Sequence, residues 1–113
     1  MISKTIIDYL NSVDELNASA FAEVPEEAPD KYIIVEHISG DEKNHICTTR
    51  LAVKSIAPSL YEAALLNEAV KKAVSGAVSL NEVCAIDLNN DFNDTDTARK
   101  KYRYQAVFDI THY

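Results

Sequence analysis

Side-chain oxygens are densest in Asp87-Leu88-Asn89-Asn90-Asp91-Phe92-Asn93-Asp94-Thr95-Asp96, at the density of a calcium loop. Asp87, Asn89 and Asp91 match the first three ligand positions of an EF-hand, which surrounds its ion with six to eight oxygens. Counted from Asp87, Phe92 stands where the sharp-turn glycine belongs and Ala98 where the bidentate glutamate belongs. Counted from Asp91, those positions hold Asp96 and Tyr102. The expectation is a solvated polar loop between two strands, with adventitious cation binding as the alternative. His45 and Cys47, two apart, share one face of a strand, and His37 with Cys84 would complete a zinc tetrahedron. These four are scattered singly along the chain rather than paired twice over, so core thiols and surface histidines are expected, with no metal and no cofactor. A Gly-rich phosphate loop, a Gly-x-Ser-x-Gly elbow and a His-Glu-x-x-His pair are all absent from the sequence, and an enzyme is not expected. The one basic concentration is Arg99-Lys100-Lys101-x-Arg103. It reads as charge balance for the acidic stretch before it, or as a patch that docks onto an acidic surface such as the loop of a neighbouring copy.

These residues need a scaffold, and its size is bounded. A chain of 113 residues makes one domain with one core. With 47% hydrophobic and 26% charged residues it is apolar enough to fold. Eighteen Asp and Glu against eleven Lys and Arg leave a net charge of -7, a field that repels phosphate backbones, so no specific nucleic-acid binding is expected. The opening residues lack the apolar run of a signal peptide and no later segment approaches a membrane span, which predicts a cytoplasmic protein without membrane contact.

Ile2, Ile6, Ile7, Leu10 and Val13 recur at helical spacing and predict an opening amphipathic helix. Phe21 to Pro29 alternates briefly and then carries two prolines, which reads as an extended edge segment and loop. Tyr32 to Ile38 is dense in β-branched residues and predicts a strand, Ser39 to Asn44 a polar turn, and His45 to Ile56 the return strand of a hairpin. On that return strand Cys47, Thr49, Leu51 and Val53 share one face. Pro58-Ser59-Leu60-Tyr61-Glu62 is a capping box, with Ser59 bonding the Glu62 amide and Glu62 reaching back. The helix it starts is predicted to end near Gly76, in the left-handed conformation that suits glycine after a helix. Val83 to Leu88 predicts a strand buried on both faces as far as Asp87. In the last strand, Tyr102 to His112, residues Tyr102, Tyr104, Ala106, Phe108 and Ile110 share one face. The predicted fold is α+β: two helices on one face of a mainly antiparallel four-stranded sheet, in the order α-β-β-α-β-β. A mixed sheet, with the strand after the second helix re-entering parallel to its predecessor, is the alternative.

The segment from Asp91 to Ile110, together with Ser59-Leu60-Tyr61-Glu62-Ala63 and the opening helix, resembles the tail-terminator proteins, also labelled minor capsid proteins, of long-tailed phages and prophages of Gram-positive bacteria. That resemblance implies a structural role. Six copies would form a ring on the last tier of the tail tube, stop its polymerisation and offer a surface to the head connector. The implied partners are further copies of the chain, the tail-tube protein and the head-connector protein, with assembly in the cytoplasm and a final place at the head–tail junction of the virion. A closed ring joins unlike patches, and an acidic lumen would repel passing DNA over about a Debye length, ~8 Å at physiological salt. The interaction surface is placed on Asp91, Asn93, Asp94 and Asp96 of the polar loop and on Arg99, Lys100 and Lys101. The hairpin tip, Gly40, Asp41, Glu42 and Lys43, is a second surface, since tips on a rigid sheet commonly meet partners. Two alternatives stay open: a head-completion or connector protein, and a small ligand-binding α+β module with Tyr102, Tyr104 and His112 lining its pocket.

Overall fold

The computed structural model describes residues 1–99 and 101–113. Helix α1 spans Ile2–Asn11 and helix α2 spans Leu60–Gly76. The strands are β1 Ser19–Phe21, β2 Tyr32–Lys43, β3 Ile46–Ala57, β4 Val83–Asn93 and β5 Tyr102–His112. They form one sheet in the spatial order β1-β2-β3-β5-β4. The pairs β2–β3, β3–β5 and β5–β4 are antiparallel, and β1 is parallel to β2. It follows that β4 runs parallel to β3, with β5 inserted between them.

The helical periodicities place the core. Ile2, Ile6 and Leu10 of α1 and Ala63, Leu66, Val70 and Val74 of α2 are buried. They pack against Ile33 and Val35 of β2, Leu51 and Val53 of β3, and Ala106, Phe108 and Ile110 of β5, alternate residues that all face one side of the sheet. Each large aliphatic or aromatic side chain so buried stabilises the fold by about 1.5–3 kcal/mol relative to exposure. At the start of α2 the Ser59 hydroxyl accepts the Glu62 amide at 3.2 Å. Its own proton goes to the Glu62 carboxylate, also at 3.2 Å, so Glu62 folds back onto the hydroxyl rather than onto the Ser59 amide.

The α+β class holds and the sheet is mainly antiparallel, but it has five strands rather than four and is mixed through the parallel β1. The added strand is β1, which pairs only Ser19, Ala20 and Phe21 with Tyr32, Ile33 and Ile34. Asn11 ties it to α1: its side-chain amide donates to the Ala20 carbonyl at 3.2 Å and its side-chain oxygen accepts the Ala20 amide at 2.8 Å. The hairpin turn is also later than predicted. β2 continues through Ser39 to Lys43 across a bulge after His37, and the chain reverses at Asn44 and His45, with φ of 55° and 67°. Two consecutive left-handed residues are the signature of the tight turn that best matches strand twist. β4 likewise runs on through the acidic stretch to Asn93, and it is not buried on both faces: Cys84, Asp87 and Leu88 are exposed, as suits an edge strand. Of the two thiols expected in the core, Cys84 is exposed and Cys47 half-buried, both unoxidised. Gly76 has φ -70°, so it does not end α2 by a left-handed turn. A Cβ there would meet the Tyr9 hydroxyl oxygen at 2.7 Å, and close approach of α1 is the reason for the glycine.

Candidate functional site

Most of the stretch expected to be a solvated polar loop, Asp87 to Asp96, is instead strand β4, which ends at Asn93. Asp87 pairs with Asp109 and Asp91 with Ala106, and the bulge between Leu88 and Asn90 turns those two carboxylates onto opposite faces. Asp91 faces α2, where it accepts hydrogen bonds from Lys71 Nζ at 2.9 Å and from Asn67 Nδ2 at 3.2 Å. The Lys71 ammonium holds the Asp91 carboxyl below the usual aspartate range against the opposing effect of burial. Lys71 is raised in turn by Asp91 and, next, by Glu68 at 2.8 Å. On the open face Arg50 pairs with Asp109 at 2.8 Å, and Asn89 donates to the same carboxylate at 3.0 Å, a tie across three strands. The Arg50 hydrogen bond dominates in holding Asp109 below the aspartate range. Among the described residues, no group of three or more His, Cys, Asp or Glu side chains is placed to share a metal ion.

The remaining residues of the predicted interaction loop close on one another. The Asn93 side-chain oxygen accepts both the amide and the hydroxyl of Thr95, at 3.0 and 2.6 Å. Asp94 pairs with Arg103 at 3.0 Å, and Asp96 forms a two-way backbone bridge with Lys101 at 3.0 Å in each direction. Asp96 also accepts the Arg99 amide at 3.2 Å, and the Arg99 guanidinium stands 3.8 Å from its carboxylate. The acidic stretch and the basic cluster are thus joined within one chain, the charge-balance arrangement. Arg99 and Lys101 still point outward, with 79% of the Arg99 side chain exposed. Lys100 lies outside the described residues.

What the sequence pattern did not bring out is the cleft under this turn. About 230 Å³ in volume, it lies on the open face, floored by Tyr32, Ile34 and Ile56 and rimmed by Lys54, Arg99, Lys101 and Arg103, with Val24 and Asp96. Lys54 pairs with Glu36 at 2.7 Å. The signal was the unbroken apolar run Tyr32-Ile33-Ile34-Val35: alternation sends Ile33 and Val35 to the helices, leaving Tyr32 and Ile34 for a second apolar face. Tyr32 and Ile34 are both buried although no helix covers them.

The second predicted surface lies at the far end of the same strands. β2 is buried from Tyr32 to Val35 and exposed from Glu36 to Lys43, so Gly40, Asp41, Glu42 and Lys43 stand on an arm that extends past the core. At ~3.3 Å per residue, Asp41 is about 30 Å along β2 from Tyr32; the molecule's longest extent is 45 Å. Asp41 accepts the Glu42 amide at 2.9 Å, and neither side chain has an ion-pair partner among the described residues.

Tyr104 and His112 stand about 27 Å apart at strand spacing, so Tyr102, Tyr104 and His112 cannot line one ligand pocket. His112 instead contacts the Thr49 hydroxyl at 2.8 Å, beside a cleft of about 350 Å³ that also touches His37 and Met1–Ser3. Among the described residues no helix is long and apolar enough to cross a membrane. Compared with protein-family models and with curated proteins, the chain matches none.

Proposed function

We propose that this chain is a structural virion protein whose copies close into a hexameric ring, cap a phage tail tube and join the tail to the head connector. The observation that carries this reading is the separation of unlike surfaces: an arm bearing Asp41 and Glu42 at one end of a rigid sheet, and a turn presenting Arg99 and Lys101 at the other. Heterologous contact between two such patches makes a ring when its rotation closes. The resemblance of Asp91 to Ile110 and of the Ser59 capping segment to tail terminators supports the same reading. A net charge of -7 suits a ring that DNA traverses without sticking.

Electron microscopy of particles made without this protein tests the role. Tails that outgrow their normal length are the expected result. Normal-length tails left unattached to full heads would point instead to head completion, and normal joined particles would refute both.

A further inference from the structure

Because Asp94 and Asp96 already face Arg103 and Arg99 within the chain, the acidic loop offers a neighbouring copy little unmatched charge. Unmatched acid sits instead on the arm, at Asp41 and Glu42. We propose, building on the ring reading above, that the hairpin tip of one copy seats in the cleft of the next, with Asp41 and Glu42 against Arg99 and Lys101.

Four observations support this occupant. The floor of Tyr32, Ile34 and Ile56 is apolar, and the arm carries Ile46, 43% exposed, next to its turn. The cleft, about 230 Å³, has room for one or two side chains but not for a folded element. Tip and cleft lie about 30 Å apart along the same strands, so no copy can fill its own cleft, and the contact joins unlike surfaces of different copies. The bulge after His37 adds local twist, which aims the arm away from its own sheet.

Charge reversal tests the contact. Asp41→Lys with Glu42→Lys reverses the tip, and Arg99→Glu with Lys101→Glu reverses the cleft; all four side chains are exposed, so thermal melts report whether each variant folds as the wild type does. By sedimentation velocity and native mass spectrometry, each variant alone is expected to self-associate on the order of 100-fold more weakly than wild type, because like charges now meet at every contact. A one-to-one mixture of the two variants is expected to recover wild-type assembly, since each reversed tip finds a reversed cleft in an alternating ring. Wild-type assembly retained by both single-surface variants would overturn the tip-to-cleft contact and leave the ring reading standing. Assembly lost in both variants and not recovered on mixing would also overturn it. A wild-type chain that stays monomeric up to its solubility limit, alone and with tail-tube protein, would overturn both.

Discussion

Removing the Asp91 carboxylate is expected to weaken the fold by more than a surface ion pair is worth. Its pairing with Lys71 is one-third exposed on the Asp91 side, so solvent screening leaves that pair about 0.5 kcal/mol. The larger effect runs through Asn67, which is 1% exposed. Among the described residues its side-chain amide donates only to Asp91, and its side-chain oxygen has no partner. Asp91→Ala therefore strands a buried amide, a loss of about 1–3 kcal/mol. The sum is about 1.5–3.5 kcal/mol, or roughly 10 °C in Tm for a domain of this size. Asp91→Asn keeps an acceptor for Asn67 and loses only the charge, so its cost is expected to be about 0.5–1 kcal/mol. The two variants separate further with pH. The folded Asp91 pKa lies below its unfolded value, near 3.9. Ionisation of Asp91 thus stabilises the fold fully above that value, and the contribution is lost as pH falls through the folded pKa, where the unfolded chain takes up the proton first. The Tm difference between wild type and Asp91→Asn should accordingly shrink toward zero as melts are taken into that acid range, with calorimetry or circular dichroism as readout. A constant difference across the range would refute the ion-pair contribution, and an Asp91→Ala variant that melts with the wild type at neutral pH would refute the buried-amide argument.

Two further outcomes follow from the backbone. His45 adopts φ 67°, which costs a non-glycine residue roughly 1 kcal/mol. Part of the relief on His45→Gly is offset by the flexibility of glycine in the unfolded chain, so a net gain of about 0.5 kcal/mol is expected, seen as a higher urea midpoint at unchanged slope; a lower midpoint would contradict the turn assignment. Asn11→Ala removes both hydrogen bonds to the Ala20 backbone and is expected to cost about 1–2 kcal/mol while speeding hydrogen exchange in β1 and not in β3 or β5. Unchanged protection of β1 would show that α1 does not hold it.

What the residues revealed and what they concealed have distinct physical causes. α1, α2 and β5 were legible because each buries one face along its whole length, so the period of the apolar residues is the period of the element. β1 was not, because three residues contain no measurable period, and its place is set by a side chain eight residues before the strand begins. The outer half of β2 reads as a loop since it extends past the core, and that of β4 since it is a polar edge strand whose Asp91 meets α2 through Lys71 and Asn67. Backbone pairing with β3 and β5 continues there without apolar faces to mark it, and bulges after His37 and Leu88 scramble the alternation. Gly76 was assigned the commonest reason for a helix-end glycine, whereas its reason is the Tyr9 hydroxyl of another helix, a contact distant in sequence. For the candidate site the residue types were visible and their pairing was not. Asp94 and Asp96 were read as a surface for others, yet each faces an arginine a few residues on, as a tight turn of opposite charges requires.

The same features decide how copies of this chain can meet. A sheet with free edges can propagate by strand addition, which yields open fibres. Here both edges resist it. β4 is interrupted by shifts after Val83 and after Leu88, and β2 is covered at one end by β1 and bulged after His37 at the other. Across the open face, Arg50, Asp109 and Asn89 tie three strands with charged groups, so a second sheet stacking there would have to desolvate an ion pair. Edge addition and face stacking are both costly, which leaves the ends of the sheet and the outer surface of α2, where Leu60, Tyr61 and Leu65 are exposed. One end is a narrow acidic arm and the other a shallow basic cleft, and a contact between them leaves edges and open face in water. Under the proposed tip-to-cleft contact, closure into a ring depends on the angle between arm and cleft. The bulge after His37 lies between tip and cleft and adds local twist, so in the proposed ring its removal by deleting Ile38 is expected to change the number of copies, or open the ring into a filament, before it changes the strength of the contact.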